Sequence, residues 1–452
     1  MKTPICDFIK EYSKRGGLRL HMPGHKGISE VGGFAAHSFD ITEIEGADVL
    51  YQSEGIIRDS EKNAELLFDS ERTIYSTEGS SLAIRAMLHL VLLYAHHQGK
   101  KPVVATGRNV HKTFLSAAAL LDFDIDWLCG EGADSILSCN ITPAYLKQYF
   151  NRCEMSPVAV YITSPDYLGN MVDIGEISKV CKDHGALLLV DNAHGAYLRF
   201  LPKSIHPINN GADMCCDSAH KTLNVLTGGA YLHISHNAPC QLVDWAEDSM
   251  ALFASTSPSY LILQSLDMAN RTMAENYKES LEHFIKSVEC IKNKLVNTGY
   301  DFVGDEQLKL TLDAKKYGYS GRELSDILRR ANIECEFADN DYLVLMLTPN
   351  IGEVGLEQLY TALAQIPKRQ SIMKKSPLLN NLPRRVMSPR QAMMLPRERQ
   401  PIDRCKGKIL ADASVSCPPA VPVVICGELI TDDALLCMKY YGINELSVVK
   451  DI

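Results

Sequence analysis

A lysine and an aspartate about thirty residues apart carry the most specific chemistry that this sequence offers. Lys221 follows a run of small and polar residues, Asp217–His220, and Asp191 ends an apolar run that begins at Ala186. A lysine amine forms a Schiff base with an aldehyde coenzyme, and a carboxylate keeps the nitrogen of a pyridine ring protonated so that the ring accepts electrons. The pair therefore predicts that Lys221 carries pyridoxal phosphate and that Asp191 faces its ring nitrogen.

An anion cradle for the phosphate group is expected where a strand gives way to a long helix. Backbone N–H groups at a helix start bind anions because they have no partner within the helix and lie at the positive end of its dipole. The segment Ser76–Ser81 stands at such a junction, and Gly79, Ser80 and Ser81 are its candidate phosphate ligands. Since the segment alone also fits an ordinary N-cap, the prediction depends on the lysine and the aspartate that follow.

The coenzyme ring needs further groups on its faces and edges. His111 follows the next predicted strand, where its flat side chain would lie against one face of the ring, and Ala193 would press on the other. Ser218 and His220 flank the lysine and are placed to reach the phosphate or to take part in proton transfer. A lone histidine is more often a surface or capping residue, so the prediction for His111 rests on its position.

Composition and spacing restrict the class of protein. The chain has 452 residues, of which 46% are hydrophobic and 22% charged, and its formal net charge is -9. A mildly acidic balance without a lysine or arginine tract argues against nucleic acid as a partner. Scattered cysteines without paired spacing, and no run of roughly twenty apolar residues, favour a soluble cytoplasmic enzyme with reduced thiols. His21, His25 and Cys6 lack the close pairing of a structural zinc site, so no metal is predicted.

From residue 61 onward, apolar β-branched runs alternate with helical patterns. The predicted helices span residues 61–68, 81–97, 112–121 and 175–184, and the predicted strands span residues 72–76, 102–105, 125–128, 158–163, 186–191 and 226–234. This alternation predicts an α/β fold with a mostly parallel sheet covered on both faces. Catalytic groups gather at the carboxyl ends of such strands, and Ser76, His111, Ser164 and Asp191 each follow or end a predicted strand.

The segments on either side of this pattern predict further domains. A loop-rich arm with one short helix precedes it, and a long helical stretch over residues 260–296 follows it. Elements of a second, smaller α/β unit are expected at residues 308–312, 320–331, 333–336, 342–347 and 354–364, and beyond Pro367 the composition shifts towards Lys, Arg, Pro and Ser. We therefore expect an N-terminal arm (1–60), a cofactor-binding large domain (61–270), a small α/β domain (271–369) and a C-terminal α+β domain (370–452).

With these residues in place, the chain resembles the bacterial ornithine/lysine/arginine decarboxylases over nearly its whole length. The motifs that carry the resemblance are Leu20–Gly27, Asp40–Glu43, Gly55–Ile57, Arg108–Lys112, Asp191–Gly195, Ser218–Leu223, Thr256–Tyr260 and the tail motif Cys417–Glu428. The resemblance implies the aminotransferase-type fold I, pyridoxal phosphate as cofactor, and decarboxylation of a basic L-amino acid in polyamine-type metabolism. It also implies the shorter branch of the family, which lacks the amino-terminal wing domain of the larger members.

The resemblance implies a role for each matching residue. Lys221 would form the Schiff base, Asp191 would pair with the ring nitrogen and His111 would stack on the ring. The implied cofactor-binding residues are completed by Gly79, Ser80, Ser81, Ala193, His194, Ser218 and His220, with Ser255 or Thr256 reaching the phosphate from the neighbouring subunit. Shared sites of this kind imply a homodimer or a higher homo-oligomer.

A few positions depart from the usual family pattern. Glu78 stands where asparagine is typical, Leu82 where a hydroxyl is common, and Asn192 where glutamate is frequent. In the tail, Cys417 and Ala420 replace the usual tyrosine and glycine. Neither Lys221 nor Asp191 is among these positions, so the cofactor chemistry is expected to be retained. The departures bear on substrate preference.

Two other functions fit the same scaffold, because a fold does not decide which bond is broken. An aminotransferase or another pyridoxal phosphate lyase is the first; an aminotransferase usually needs an arginine for the substrate carboxylate, for which Arg58 and Arg384 are candidates. A catalytically silent pyridoxal-binding protein is the second, and the intact set of Lys221, Asp191 and His111 argues against it.

The choice of substrate requires a carboxylate that binds its cationic side chain. The candidates are Glu43, Glu45, Asp48, Glu54 and Glu428. Arginine is the first expectation, with lysine and ornithine close behind. Protonation of the product carbon is expected from Lys221 or His220.

Overall fold

The computed structural model describes residues 1–28, 35–130, 139–374, 376–377, 379, 382–417 and 421–450. Two compact units divide the chain: the first comprises Met1–Lys100 and Leu187–Leu281, and the second comprises Lys101–Ala186 and Glu282–Ile452. The division into an arm, a large, a small and a C-terminal domain stays a prediction.

Helices and strands alternate along most of the chain, which is the predicted α/β pattern. In chain order the helices are α1 (Pro4–Lys14), α2 (Ile56–Phe68), α3 (Ser80–His97), α4 (Lys112–Leu121), α5 (Pro143–Arg152), α6 (Ile174–Asp183), α7 (Ala219–Thr222), α8 (Cys240–Asp244), α9 (Ala246–Ala251), α10 (Tyr260–Glu275), α11 (Tyr277–Asn297), α12 (Gly321–Arg330), α13 (Gly352–Ala364), α14 (Pro389–Met394) and α15 (Asp432–Tyr440). In chain order the strands are β1 (Arg72–Ser76), β2 (Val103–Gly107), β3 (Asp124–Leu128), β4 (Ala159–Thr163), β5 (Leu187–Asp191), β6 (Met214–Asp217), β7 (Ala230–Ile234), β8 (Phe302–Val303), β9 (Lys309–Asp313), β10 (Phe337–Ala338), β11 (Tyr342–Met346), β12 (Arg397–Pro401), β13 (Ser414–Cys417), β14 (Val421–Ile425) and β15 (Glu445–Val449).

In the first unit, the strands of the sheet follow the order β1-β7-β6-β5. Strands β5 and β6 run parallel, whereas β7 is antiparallel to both β6 and β1. Every residue of these strands is buried, as expected for a sheet whose two faces are covered by helices. The parallel pair β5 and β6 therefore presents its carboxyl ends side by side.

In the second unit, β2 pairs in parallel with both β3 and β4. A separate antiparallel sheet follows the order β10-β11-β9-β8, and the tail forms the two-stranded sheets β12-β15 and β13-β14. The tail has a hydrophobic core of its own, in which Val423, Cys437, Met438 and Val448 are fully buried. Residues 418–420 of the tail motif, Ala420 among them, lie outside the described residues.

Most predicted elements are present, and two expectations differ from the structure. An element was expected at residues 333–336, but Asn332 adopts a left-handed φ of 58° after α12, and the strand begins only at Phe337. The helical stretch over residues 260–296 is divided into α10 and α11 because Asn276 leaves the helical region with a φ of -142°. Asparagine competes for its own backbone hydrogen bonds, which makes it a weak helix former.

None of the helices in the described ranges is long and apolar enough to cross a membrane.

Candidate active site

Lys221 lies on the short helix α7, which follows the carboxyl end of β6. Its neighbours Ala219 and Thr222 are buried, whereas Lys221 itself is only partly covered. The Lys221 Nζ lies 3.1 Å from His194 Nε2. The amine is thus held against an imidazole while it remains accessible.

Asp191 ends the apolar strand β5 and is only 3% exposed. Its Oδ1 accepts a hydrogen bond from the Ala193 N–H at 3.2 Å, and the Cys216 thiol lies 3.7 Å from the same oxygen. Burial raises the pKa of the Cys216 thiol well above its ordinary value, so this cysteine stays a neutral neighbour. Because Asp191 pairs in register with Cys216, the carboxylate and the segment that carries Lys221 lie on adjacent strand ends.

The predicted phosphate cradle lies at the start of α3, an 18-residue helix. Gly79 is its N-cap, with φ 74° and ψ 176°, a conformation that side chains other than glycine rarely adopt. The Ser80 hydroxyl is 2.8 Å from the Ser218 hydroxyl, which directly precedes α7. This contact joins the cradle to the helix that bears the lysine, and Ser81 follows in the first turn.

A pair of glycines fixes the cradle and the lysine helix to each other. The Gly79 N–H donates to the Gly228 carbonyl at 2.7 Å, and the carbonyl of Gly229 accepts from both the backbone N–H and the Nδ1 of His220, at 3.2 Å and 3.0 Å. Gly228 has a φ of 102°, and a Cβ there would lie 2.8 Å from the Thr77 carbonyl oxygen. Only glycine therefore permits this close approach.

His111 belongs to the second unit, where it is the N-cap of α4. Its Nδ1 accepts a hydrogen bond from the Thr113 N–H at 3.3 Å and lies 2.8 Å from the Thr113 hydroxyl. The residue is thus a capping histidine, the ordinary alternative that its sequence position left open. Capping occupies one ring nitrogen, and the ring-stacking role of His111 stays a prediction.

Ser255 and Thr256 lie in an exposed segment of the first unit. The backbone N–H of Ser255 donates to Glu78 Oε1 at 2.7 Å. Glu78 is one of the positions that depart from the family pattern, and here it ties this segment to the turn that contains the cradle. The reach of Ser255 or Thr256 into a neighbouring subunit stays a prediction.

Several charged candidates are already engaged. Asp48 accepts hydrogen bonds from backbone N–H groups at the start of α2, including those of Gly55 and Ile57 at 2.9 Å and 3.0 Å. Arg58 pairs with Glu65 at 2.8 Å. Glu428 pairs with Arg108 at 2.6 Å and is 2% exposed. Asp48, Arg58 and Glu428 therefore have structural roles in the protein as it stands.

A buried cluster behind the site has no counterpart in the sequence predictions. Among the described residues, His206, Asp217 and His233 form a group of metal-ligand types at short range. Asp217 Oδ2 lies 2.9 Å from His206 Nε2 and 3.3 Å from His233 Nε2, and all three side chains are fully buried. Burial opposes ionisation of Asp217, but the two imidazoles outweigh it and hold its pKa well below the usual range. The prediction of no metal is left as a prediction.

The first unit offers what pyridoxal phosphate requires of a protein. An accessible lysine amine, a buried carboxylate on the adjacent strand end and a glycine-started helix N-terminus occur together, joined by the contact between Ser80 and Ser218. The amine suits the aldehyde, the carboxylate suits the ring nitrogen and the helix start suits the phosphate. The residues present thus fit the cofactor.

Comparisons with known proteins identify the family that this chain resembles. The family model for the major domain of the Orn/Lys/Arg decarboxylases matches residues 3–309. The arginine decarboxylase of Bacillus subtilis (strain 168) is 27% identical over 461 residues, which cover 96% of this chain and 92% of that protein.

Solved structures confirm the predicted fold. The lysine decarboxylase of Francisella novicida superposes with a TM-score of 0.80 at 16% identity, over 99% of this chain and 81% of that chain. Lysine decarboxylase A of Pseudomonas aeruginosa gives a TM-score of 0.81 at 17% identity, over 99% of this chain and 80% of that chain.

The family match spans more than half of the chain, and all of the predicted catalytic and cofactor-binding residues lie within it. The protein is therefore a member of the Orn/Lys/Arg decarboxylase family, a pyridoxal phosphate-dependent amino-acid decarboxylase with the aminotransferase-type fold I.

Proposed function

We propose that this protein decarboxylates L-arginine, within the basic amino-acid decarboxylation that its family membership supports. The arginine decarboxylase of Bacillus subtilis aligns along almost the full length of both chains, whereas the solved structures named above are lysine decarboxylases. The sequence relative therefore favours arginine, and lysine and ornithine are the alternatives. We place the reaction in the cytoplasm and in polyamine-type metabolism.

The placement of Lys221 is the observation that carries this proposal. Its Nζ lies against His194 Nε2 at 3.1 Å on a helix whose N-cap residue contacts the phosphate cradle. An ordinary solvated lysine would not be expected on a helix that follows a buried strand, with its amine against an imidazole. Lys221 is thus the residue that would hold the cofactor aldehyde.

The other residues would bind and orient. Ser80, Ser81, Ser218 and His220 would hold the phosphate at the start of α3, and Gly79, whose N–H donates to the Gly228 carbonyl, would shape the cradle. Asp191 would keep the proton on the ring nitrogen, for which a buried carboxylate is suited. When bound, pyridoxal phosphate supplies the electron sink for cleavage of the carbon–carbon bond.

Proton transfer to the product carbon would be carried out by residues around the lysine. His220 donates through Nδ1 to the Gly229 carbonyl, so any proton that it delivers comes from Nε2. His194 contacts the lysine amine directly and would exchange a proton with it. We therefore infer that Lys221 delivers the proton and that His194 restores it.

The substrate side chain would be bound by a carboxylate outside the structural pairs. Because Asp48 and Glu428 are engaged, the exposed Glu43, Glu45 and Glu54 are the remaining candidates from the sequence. Glu43 is mostly exposed, and the partial burial of its carboxyl raises its pKa. A homodimer in which Ser255 or Thr256 completes the neighbouring site belongs to the same proposal.

The test is product identification with purified protein and added pyridoxal phosphate. Arginine, lysine and ornithine are supplied separately, and released CO2 and the amine are measured without any keto acid. We expect agmatine from arginine, no turnover by Lys221→Ala, and unchanged turnover by Lys203→Ala, a control at an exposed lysine of the same unit. Turnover by Lys221→Ala at the wild-type rate, or a strict need for a keto acid, would overturn the proposal.

A further inference from the structure

The sheet that carries Asp191 and the segment of Lys221 has a second face at these strand ends, and that face is buried. Side chains alternate across a strand, so Cys216 and Asp217 point to opposite faces of the sheet. Asp191 contacts Cys216 on one face, and the next residue, Asn192, contacts Asp217 on the other. The Asn192 Nδ2 donates to Asp217 Oδ1 at 2.7 Å, and both residues are fully buried.

The other oxygen of Asp217 is held as firmly. His206 Nε2 and His233 Nε2 lie 2.9 Å and 3.3 Å from Asp217 Oδ2, and His233 Nδ1 lies 2.8 Å from the Thr73 hydroxyl on β1. The separation of 2.9 Å from His206 Nε2 is that of a direct hydrogen bond, and His233 lies beside the same oxygen. Asp217 is thereby fixed to β1, β7 and the segment before β6.

Asn192 is fixed by its backbone as well as by its side chain. Its N–H donates to the Cys216 carbonyl at 3.0 Å, and its carbonyl accepts from the Gly195 N–H at 2.7 Å. A Cβ on Gly195 would lie 2.0 Å from Asn192 Oδ1, so the asparagine side chain fits only because residue 195 is glycine. These contacts fix both the backbone and the side chain of the residue that follows Asp191.

We propose that Asn192 and Asp217 are positioning residues for the cofactor: their hydrogen bond fixes the end of β5 so that the Asp191 carboxylate meets the ring nitrogen. The inference rests on the proposed role of Asp191 and adds two residues that never touch the cofactor. A small displacement of a catalytic group costs up to about a hundredfold in rate, so loss of this bond should be visible in cofactor binding and in kcat.

The experiment compares two asparagines that are equally buried. Asn192→Ala removes the bond to Asp217, whereas Asn270→Ala removes the bonds of a fully buried asparagine on α10 to Tyr75 and Ser60. The dissociation constant of pyridoxal phosphate, its visible circular dichroism, kcat and KM are measured for both. We expect Asn192→Ala to weaken cofactor binding and lower kcat about tenfold each, with KM within about twofold, because a hydrogen bond to a charged group is lost. Asn270→Ala should match the wild type in all four.

A second pair of variants keeps the test decisive if Asn192→Ala does not fold. Asp217→Asn retains an oxygen for Asn192 and an amide for the imidazoles, so it should keep cofactor affinity and circular dichroism within about threefold of the wild type. Asp217→Ala should lower the cofactor affinity and the visible circular dichroism about tenfold each. Wild-type cofactor affinity and circular dichroism in Asn192→Ala, or in Asp217→Ala, would overturn the inference. If the wild-type protein binds the cofactor but decarboxylates none of the basic amino acids, the proposed function fails, and the binding measurements still decide the positioning role.

Discussion

Two buried carboxylates, one in each unit, support residues next to predicted site residues, and they have different partners. Glu428 receives both terminal nitrogens of Arg108, at 2.6 Å and 3.1 Å, and the N–H of Ile425 at 2.9 Å. Arg108 stands three residues before His111, so the tail carboxylate holds the segment that leads to this histidine. Asp217 is held by His206 and His233 and supports the residue after Asp191.

The difference between these partners decides what each carboxylate contributes. A guanidinium keeps its charge at every accessible pH and matches a carboxylate with two parallel hydrogen bonds. An imidazole gains and loses its proton near neutrality. Glu428 is therefore bound by a permanent charge, whereas the imidazole partners of Asp217 carry no permanent charge.

The largest effect on stability is expected for the ion pair of Arg108 and Glu428. Glu428→Ala leaves the Arg108 guanidinium buried without its partner, which should lower the free energy of unfolding by about 3–5 kcal/mol. Urea unfolding followed by circular dichroism measures it, and Glu428→Gln, which keeps the shape, is the control with a smaller loss. A loss below about 1 kcal/mol would show that the pair is not an anchor.

A smaller loss of stability is expected for Asp217, whose partners are imidazoles. Asp217→Ala leaves polar partners unsatisfied but strands no permanently charged group, so the free energy of unfolding should fall by about 2–3 kcal/mol. The same urea measurement applies. If Asp217→Ala were more destabilising than Glu428→Ala, the contrast between the two carboxylates would be wrong.

Acid should remove the contribution of Asp217 in a defined direction. Burial opposes its ionisation, but His206 and His233 lower its pKa below the ordinary value of 3.8. A folded-state pKa below that of the unfolded chain gives stability that is present above pH 3.8 and is lost as the pH falls through the folded value. Wild type should exceed Asp217→Asn in unfolding free energy by about 2 kcal/mol at pH 7, and this difference should shrink below about pH 4. A difference that is constant with pH would contradict an ionised Asp217.

The smallest effect on stability is expected at Gly228, which holds the cradle through a backbone hydrogen bond rather than through a charge. Gly228→Ala forces a side chain into a φ of 102° and against the Thr77 carbonyl, which should cost about 1–2 kcal/mol. Because Gly228 holds the N–H of Gly79, cofactor affinity should also fall. Calorimetric melting and an absorbance titration with pyridoxal phosphate measure the two effects, with Gly99→Ala, whose Cβ would meet nothing within 4 Å, as the control for left-handed strain alone. Equal losses of cofactor affinity in both variants would refute the role of the contact.

Much of the fold and of the site was predictable because the signals are local. Contiguous apolar runs encode buried strands, so the expected strand at residues 72–76 coincides with β1, and the expected helix at 112–121 coincides with α4. Residues that follow such runs lie at the strand ends by necessity, which is why Asp191 and the cradle at Gly79 could be located.

The supporting residues could not be predicted because their partners are distant in the sequence. Arg108 and Glu428 are 320 positions apart, and His233 reaches Asp217 only because β7 lies beside β6 in the sheet. The pattern of apolar and polar residues within one strand does not determine which strands lie beside it in the sheet. One signal was available: His233 interrupts the apolar strand Ala230–Ile234, and a polar side chain in a fully buried strand requires a buried partner.

The identity of the lysine that binds the cofactor is the most direct test of the function described here. Purified protein is loaded with pyridoxal phosphate, the bond between lysine and cofactor is reduced with borohydride, and the modified peptide is identified by mass spectrometry. We predict that the label lies on Lys221 and is absent from Lys221→Ala. A label on another lysine, with Lys221 unmodified, would contradict it.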